Sequence, residues 1–235
     1  MSATDLASDD RSASQGRLSN WAGFVFFVTL AVYTLITYEI GVALLPTLVL
    51  EGIVALSFLI RRPSRTNDRR LAARTAAYVG TFLPMIFIQA AGTLGPELLT
   101  RTTSPRMLGM GLVFWSMGLV MSVVSLWNLR RAFSIEPAAR ELVTTGPYRF
   151  ARHPVYTGYI LNYIGTWCFF PSAPLLLMLI GWLMATLLRV RYEEAVLTRA
   201  FPEDYAAYRS SVGAFAPHLR LSPPRERHSS PRATP

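Results

Sequence analysis

The chain has 235 residues, of which 51% are hydrophobic, and its formal net charge is +9. All of its Lys and Arg positions are arginine, since lysine is absent. The apolar residues form long uncharged blocks, which are typical of an integral membrane protein and exclude an ordinary soluble domain. The single cysteine, Cys168, excludes a disulfide within the chain and a cysteine-based metal site. Because the arginines flank the apolar blocks, the basic charge indicates membrane topology rather than nucleic-acid binding.

The sequence predicts an all-α protein with about six transmembrane helices. Residues 1–20 are rich in Ser, Asp and Ala and lack the basic start of a signal peptide, so they are predicted to form a disordered tail. Four apolar blocks within 21–127 predict the first four spans. The predicted spans are 21–38, 41–60, 76–94, 107–127, 156–170 and 175–188.

Glu51 lies inside the second predicted span. An ionisable residue at such a position is a functional candidate by default. A buried ion pair or a protonated acid between helices explains it equally simply, and we favour that interpretation on the sequence alone.

The arginine counts predict the orientation of the spans. The 61–74 loop contains six arginines, the 128–155 connector five, and the chain from Arg189 onward eight, whereas the loops on the other side contain two in total. The positive-inside rule then places both termini in the cytoplasm, as an even number of spans requires. We therefore predict a protein of the bacterial inner membrane whose polar clusters face the cytoplasm.

A polar cluster lies between the fourth and fifth predicted spans, from Leu142 to Gly158. A helix is predicted to begin at Pro154, because proline disfavours a helical residue before it and suits the first helical position. The free N–H groups of that first turn, together with the charge of Arg152, predict an anion site.

A second polar cluster, at 189–194, follows an apolar hairpin that turns at 171–174. The two arms of this hairpin contain 18 and 20 residues, each roughly 30 Å long, so the chain returns to the membrane face that it left. The residues predicted to meet there are Arg152, His153 and Tyr156 from the first cluster and Arg189, Arg191 and Glu194 from the second.

The chain from Arg189 to about Ser210 is predicted to form a cytoplasmic amphipathic helix, which Pro202 splits. Glu193 is predicted to point away from the apolar face of this helix. That face is formed by Glu194, Leu197, Phe201, Tyr205 and Tyr208. Residues 219–235 are predicted to form a second disordered tail.

The two polar clusters together resemble the isoprenylcysteine carboxyl methyltransferase family, which is broadly related to the phospholipid N-methyltransferases. The resemblance covers about residues 128–218, the predicted catalytic region of connector, hairpin and amphipathic helix. Pro202 stands where the family usually has Gly, and Gly213 where it usually has Pro. The matching motifs are Gly146-Pro147-Tyr148-Arg149, Arg152-His153-Pro154-x-Tyr156-x-Gly158, Arg189 and Glu193-Glu194-x-x-Leu197.

The resemblance implies an integral membrane enzyme that uses S-adenosylmethionine. Its implied catalytic residues are Arg189 and Glu194, and we expect Arg191 and Tyr192 to contact the acceptor. The implied acceptor is a lipophilic or lipidated molecule, such as an isoprenylcysteine-like carboxylate, and neither metal nor nucleic acid is expected. The implied cofactor-binding residues are Tyr148, Arg152, His153, Pro154, Tyr156, Gly158 and Glu194.

Other functions remain open on the sequence. A phospholipid amine N-methyltransferase, an NADPH-dependent reductase of the sterol-reductase type, and a transporter or scaffold all fit a small polytopic protein. The sequence does not decide between methylation at oxygen, nitrogen or sulfur. It also leaves open the oligomeric state and the role of the first four spans.

Overall fold

A computed structural model describes residues 20–36, 44–94, 101–102 and 104–217 of the chain, without the side chains of 44–47 and 88–94. The predicted tails at 1–20 and 219–235 lie outside these residues, apart from Asn20. The predicted turn at 38–40 and most of the 95–106 loop also lie outside them.

The described part of the chain is mostly helical, which confirms the predicted all-α class. A two-stranded antiparallel ribbon joins Thr66–Asn67 (β1) to Ala138–Ala139 (β2), and a short 3-10 helix covers Gly146–Arg149. The described α-helices are α1 (Asn20–Ile36), α2 (Leu44–Ile60), α3 (Leu71–Leu94), α4 (Pro105–Leu129), α5 (Pro154–Phe169), α6 (Ala173–Ala200) and α7 (Pro202–Ser211).

Two of the described helices, α4 and α6, are long and apolar enough to span a membrane. The apolar stretches of α1, α2 and α3 are shorter, so the six predicted spans stay a prediction. α5 begins at Pro154 and α6 gives way to α7 at Pro202, as predicted. However, α6 continues well past its apolar block, and the ion pair between Arg189 and Glu193, four residues apart, stabilises this extension.

α4 and α5 pack backbone against backbone. A Cβ atom added to Gly158 would lie 2.4 Å from Ser122 Oγ and 2.9 Å from the carbonyl oxygen of Gly118. A Cβ atom on Gly118 would lie 2.4 Å from the backbone nitrogen of Asn162. Small residues allow this close approach between apolar helices.

α5 and α6 follow each other through a short turn, yet each packs mainly against another helix. α5 lies along α4, whereas α6 lies along α3, where Trp182 Nε1 donates to the carbonyl oxygen of Gly80 at 2.9 Å. Near their shared turn the two helices contact each other through Tyr163 and Trp182, whose ring centroids are 4.6 Å apart. Beyond this contact, the space between the helices holds a cavity.

Asp68 fastens the loop between α2 and α3 to its surroundings. Its buried carboxylate accepts from Arg70 Nε at 3.0 Å and lies 3.6 Å from Arg199 Nη2 on α6, and its backbone N–H donates to the carbonyl oxygen of Pro137 at 3.0 Å. The hydrogen bonds from Arg70 hold the pKa of Asp68 below its usual value. This carboxylate therefore stabilises the fold above its unfolded pKa, and the stabilisation is lost as the pH falls through the lower folded pKa.

The Asp68→Asn variant is expected to unfold at a lower temperature than the wild type at pH 7, by about 2–4 °C. The effect is modest because Arg70 is solvent-exposed, so that water screens the ion pair. The difference should shrink as the pH is lowered through the folded pKa of Asp68. Thermal unfolding of detergent-solubilised protein at several pH values measures it. The exposed Asp204→Asn serves as the control, and an equal loss in that variant would contradict the assignment.

Candidate functional site

A cavity of about 370 Å³ is lined by residues from all seven described helices. This volume is within the usual range of small-molecule sites, roughly 300–1,000 Å³. Polar side chains line it where α5 begins and α6 nears its end, and mostly apolar side chains line it farther along the helices. The polar lining includes Arg152, His153, Tyr156, Arg189 and Glu193.

Glu194 joins the two polar clusters. Its Oε1 accepts from Arg152 Nη2 at 2.8 Å and Nε at 3.0 Å, and it lies 3.2 Å from His153 Nε2. The predicted meeting of Arg152 and His153 with Glu194 is therefore confirmed. The side chains of Arg152 and Glu194 are only 9% and 15% exposed, so water screens their ion pair weakly. Because Glu194 does not line the cavity, its observed contacts are those of a residue that positions Arg152 and His153.

Glu193 is the acid that lines the cavity, so the prediction that it points away is wrong. Its Oε1 accepts from the Tyr156 hydroxyl at 2.6 Å and from Arg189 Nε at 2.8 Å, and its Oε2 lies 3.8 Å from His153 Nδ1. His153 thus lies between two carboxylates, with one ring nitrogen toward each. The four-residue spacing between Arg189 and Glu193 is the sequence signal that indicates a shared face.

Arg189 is buried and forms hydrogen bonds with several elements around the site. Its Nε donates to the Glu193 carboxylate. Its Nη1 donates to Thr81 Oγ1 at 3.0 Å and to the carbonyl oxygen of Ala77 at 3.5 Å. Its Nη2 donates to the carbonyl oxygens of Ile135 at 2.8 Å and Ser134 at 3.3 Å. All five N–H groups of the guanidinium are therefore used. The guanidinium has no donor left for a ligand, so its observed contacts are those of a residue that positions Glu193.

Arg191 and Tyr192, the predicted substrate-binding residues, do not line the cavity. Arg191 is exposed, and Tyr192 lies under the guanidinium of Arg70, with 4.9 Å between the Arg70 Cζ and the ring centroid. Both predictions need correction. α6 turns by about 100° per residue, so residues 189 and 193 share the face toward the cavity while 191 points to the opposite side. Tyr192 lies between these directions and packs against Arg70 instead.

The start of α5 offers less to an anion than the sequence indicates. The backbone N–H groups of Arg152 and His153 donate to the carbonyl oxygens of Gly213 and Ala214, and those of Tyr156 and Thr157 donate to the carbonyl oxygen of His153. These four donors are therefore engaged within the chain. Pro154 begins α5, and Gly158 contacts the backbone of α4, so Gly158 serves helix packing.

The segment 212–215 covers the start of α5. Arg152 N–H donates to Gly213 at 2.8 Å, His153 N–H to Ala214 at 2.9 Å, and Thr157 Oγ1 to the carbonyl oxygen of Phe215 at 2.8 Å. Arg152 Nη1 also donates to the carbonyl oxygen of Val212. Gly213 pairs with Ala151 as a parallel bridge. The segment therefore packs against residues 151–157, beside the polar end of the cavity.

Tyr148 contributes a buried phenol to the cavity wall. Burial raises the pKa of the Tyr148 hydroxyl well above its usual value, so the hydroxyl remains protonated at physiological pH. Tyr208 holds this residue in place by donating its hydroxyl to the carbonyl oxygen of Tyr148 at 2.5 Å.

The family comparison covers the helices that carry these polar residues. Residues 104–204 match the family model for phospholipid methyltransferases. The match covers 101 of the 235 residues. It includes His153, Arg189, Glu193 and Glu194, and the family is one of membrane methyltransferases. The predicted relation to the phospholipid N-methyltransferases is thereby confirmed.

A second comparison gives a shorter match. The chain is 35% identical over 82 residues to the nickel-cobalt-cadmium resistance protein NccN of Alcaligenes xylosoxydans xylosoxydans. The aligned part covers 34% of this chain and 38% of that protein. Within residues 20–36, 44–94, 101–102 and 104–217, no three His, Cys, Asp or Glu residues are grouped so that they could hold a metal ion. Helices α1 to α3 lie outside the phospholipid methyltransferase match but still line the cavity, through Phe27, Glu51 and Thr81 among others.

Proposed function

We propose that the protein is an integral membrane methyltransferase that uses S-adenosylmethionine to methylate a lipophilic acceptor. The observation that carries this proposal is one cavity with an acidic, aromatic end inside the phospholipid methyltransferase region and an apolar remainder among neighbouring helices. The polar end of the cavity suits the methyl donor, and the apolar remainder suits a lipophilic acceptor.

The polar end suits the groups that S-adenosylmethionine carries. Glu193 offers a carboxylate for its amino group, and the ring of Tyr148 offers an aromatic face for its sulfonium cation. Arg152 also lines the cavity, and one Nη2 N–H of its guanidinium, beyond those paired with Glu194 and Val212, is left for the carboxylate of S-adenosylmethionine. When bound, S-adenosylmethionine supplies a methyl group that an acceptor nucleophile takes in a direct displacement.

The residues of the chain bind, orient and exclude water in this proposal. Tyr156 and Arg189 fix the Glu193 carboxylate from two sides, so it is positioned before a ligand arrives. Such preorganisation contributes much of the rate when a reaction depends on alignment. A carboxylate acceptor needs no general base. For an amine acceptor, His153 is the residue suited to receive a proton, because its Nδ1 faces the cavity side, toward Glu193.

We propose the carboxylate of an isoprenylcysteine-like or another lipid-soluble molecule as the acceptor. The description of the matching family favours a phospholipid amine as the second candidate. It also favours methyl transfer over the NADPH-dependent reductase that the sequence leaves open. The cytoplasmic position of the site and the inner-membrane location belong to this proposal as well, through the positive-inside rule.

Purified protein in lipid nanodiscs is expected to bind S-adenosylmethionine and not NADPH in isothermal titration calorimetry. The Glu193→Gln variant should bind S-adenosylmethionine at least tenfold more weakly, because a neutral amide replaces a fixed carboxylate. Glu203→Gln changes the same residue type at an exposed position of α7 and should bind like the wild type. Binding of NADPH alone, or unchanged affinity in Glu193→Gln, would contradict the proposal.

The acceptor class is tested separately with methyl-labelled S-adenosylmethionine and a bacterial membrane-lipid extract. Label in a methyl ester is released as methanol by alkali, whereas label on a quaternary amine is not. Release of the incorporated label indicates a carboxylate acceptor. Retention indicates the phospholipid amine instead.

A further inference from the structure

Two cavity-lining groups have no role in the site described above. One carboxylate oxygen of Glu51, Oε2, is buried without a hydrogen-bond partner among the described residues, and so is the hydroxyl of Ser122. Both residues line the cavity. Glu51 Oε1 accepts from Thr34 Oγ1 at 3.2 Å, which fixes the orientation of the carboxylate and leaves Oε2 available.

The two groups lie at similar depth in the cavity. Just after α2 and α4 end, the backbone N–H of Arg62 donates to the carbonyl oxygen of Arg131 at 2.8 Å. The ends of the two helices therefore lie at the same depth along the helix axes. Glu51 is nine residues before the end of α2, about 13 Å, and Ser122 is seven residues before the end of α4, about 10 Å. The two residues are therefore within about 3 Å of each other in depth.

This level is separate from the polar end that contains His153. Ser122 contacts Gly158 across the α4–α5 interface, and Gly158 is five residues, about 7 Å, farther along the chain than His153. Val54 and Leu126 line the cavity roughly one helical turn nearer the helix ends than Glu51 and Ser122. Apolar surface thus lies between the two polar levels.

Unpartnered polar groups in an apolar wall cost free energy unless a ligand pairs with them. We propose that Glu51 and Ser122 form a second polar subsite, which binds a hydroxyl or an amine carried in the apolar part of the acceptor, away from the atom that is methylated. The proposal rests on the proposed function for the identity of the occupant as an acceptor. It makes Glu51 and Ser122 specificity-determining residues, since an acceptor without the matching donor leaves both unpaired.

Direct binding of long-chain acids tests the subsite without requiring methyl transfer. The ligands are stearic acid and its hydroxy and amino derivatives, substituted at successive carbons, and native mass spectrometry of the detergent-solubilised protein gives each dissociation constant. The wild type should bind at least one substituted acid tenfold or more tightly than stearic acid. Glu51→Gln and Ser122→Ala should each reduce this preference to about threefold or less, and the double variant should remove it. Glu203→Gln should retain it in full.

The outcomes separate the two proposals, because S-adenosylmethionine binding is measured on the same preparations. If substituted and unsubstituted acids bind the wild type equally, or if the preference survives in the double variant, the subsite is wrong even when S-adenosylmethionine binds. If the preference behaves as expected but S-adenosylmethionine does not bind, the subsite stands and the proposed function fails. Both substitutions are nearly isosteric or remove a single oxygen, and the retained affinity for stearic acid reports that each variant is folded.

Discussion

The Arg189→Met variant is expected to lose about 3–5 kcal/mol of unfolding free energy, the usual cost of removing one partner from a buried ion pair. The guanidinium is 8% exposed and uses all of its N–H groups to join α6 to α3, to the 134–135 backbone and to Glu193. Removing it leaves the Glu193 carboxylate without its cation, and the carbonyl oxygens of Ala77, Ser134 and Ile135 lose a donor. Denaturant unfolding in mixed micelles, followed by tryptophan fluorescence, measures the loss.

Arg191→Met is the matched control, since it makes the same substitution two residues away at an exposed position of the same helix. It should change the unfolding free energy by less than about 0.5 kcal/mol. Arg189→Lys should fall between the two, because it keeps the charge but not the planar arrangement of five donors. Equal stability of Arg189→Met and Arg191→Met would mean that the buried network does not stabilise the fold.

The Gly158→Ala variant is expected to separate α4 from α5 and to destabilise the protein by about 3 kcal/mol, at the upper end of the cost of overpacking. The added methyl group would lie 2.4 Å from Ser122 Oγ, 2.8 Å from Ser122 N and 2.9 Å from the carbonyl oxygen of Gly118. Two of these three atoms belong to the backbone, which cannot rotate away as a side chain can. The thermal midpoint in detergent and the yield of monodisperse protein both report the effect.

Gly109→Ala provides the control for this substitution within α4. A Cβ atom at Gly109 has no neighbour within 4 Å, so only the higher helix propensity of alanine applies. We expect Gly109→Ala to be neutral or slightly stabilising. If the two alanine variants are equally stable, the close contact between α4 and α5 is absent from the protein in solution.

The main features of the site were predictable from distances along the chain. The two helices on either side of the turn at 171–174 are of similar length up to the polar clusters, so the start of α5 and the last turns of α6 lie on the same side. The ion pair between Arg152 and Glu194 follows from this arrangement. Proline rules likewise predicted where α5 begins and where α6 ends. Both predictions depend only on the rise per residue of a helix and on the positions of prolines, which can be taken from the sequence.

The orientation of individual side chains was less accessible to prediction. Which face of α6 lines the cavity depends on how that helix is rotated against α3, and packing such as the Trp182–Gly80 contact sets this rotation. The sequence pattern therefore indicates the wrong sides of α6 for Glu193 and Arg191. The partners of Arg189 include backbone carbonyl oxygens at 134–135, and since every residue carries such a group, no sequence pattern marks them.

The position of the 212–215 segment affects when the site can form during biosynthesis. A ribosome makes residues 152–157 about sixty residues before their hydrogen-bond partners at 213–215. Helices α4 to α6 can therefore form before the contacts between residues 152–157 and this segment exist. The backbone N–H groups of Arg152 and His153 therefore stay without these partners until residues 213 and 214 have been made.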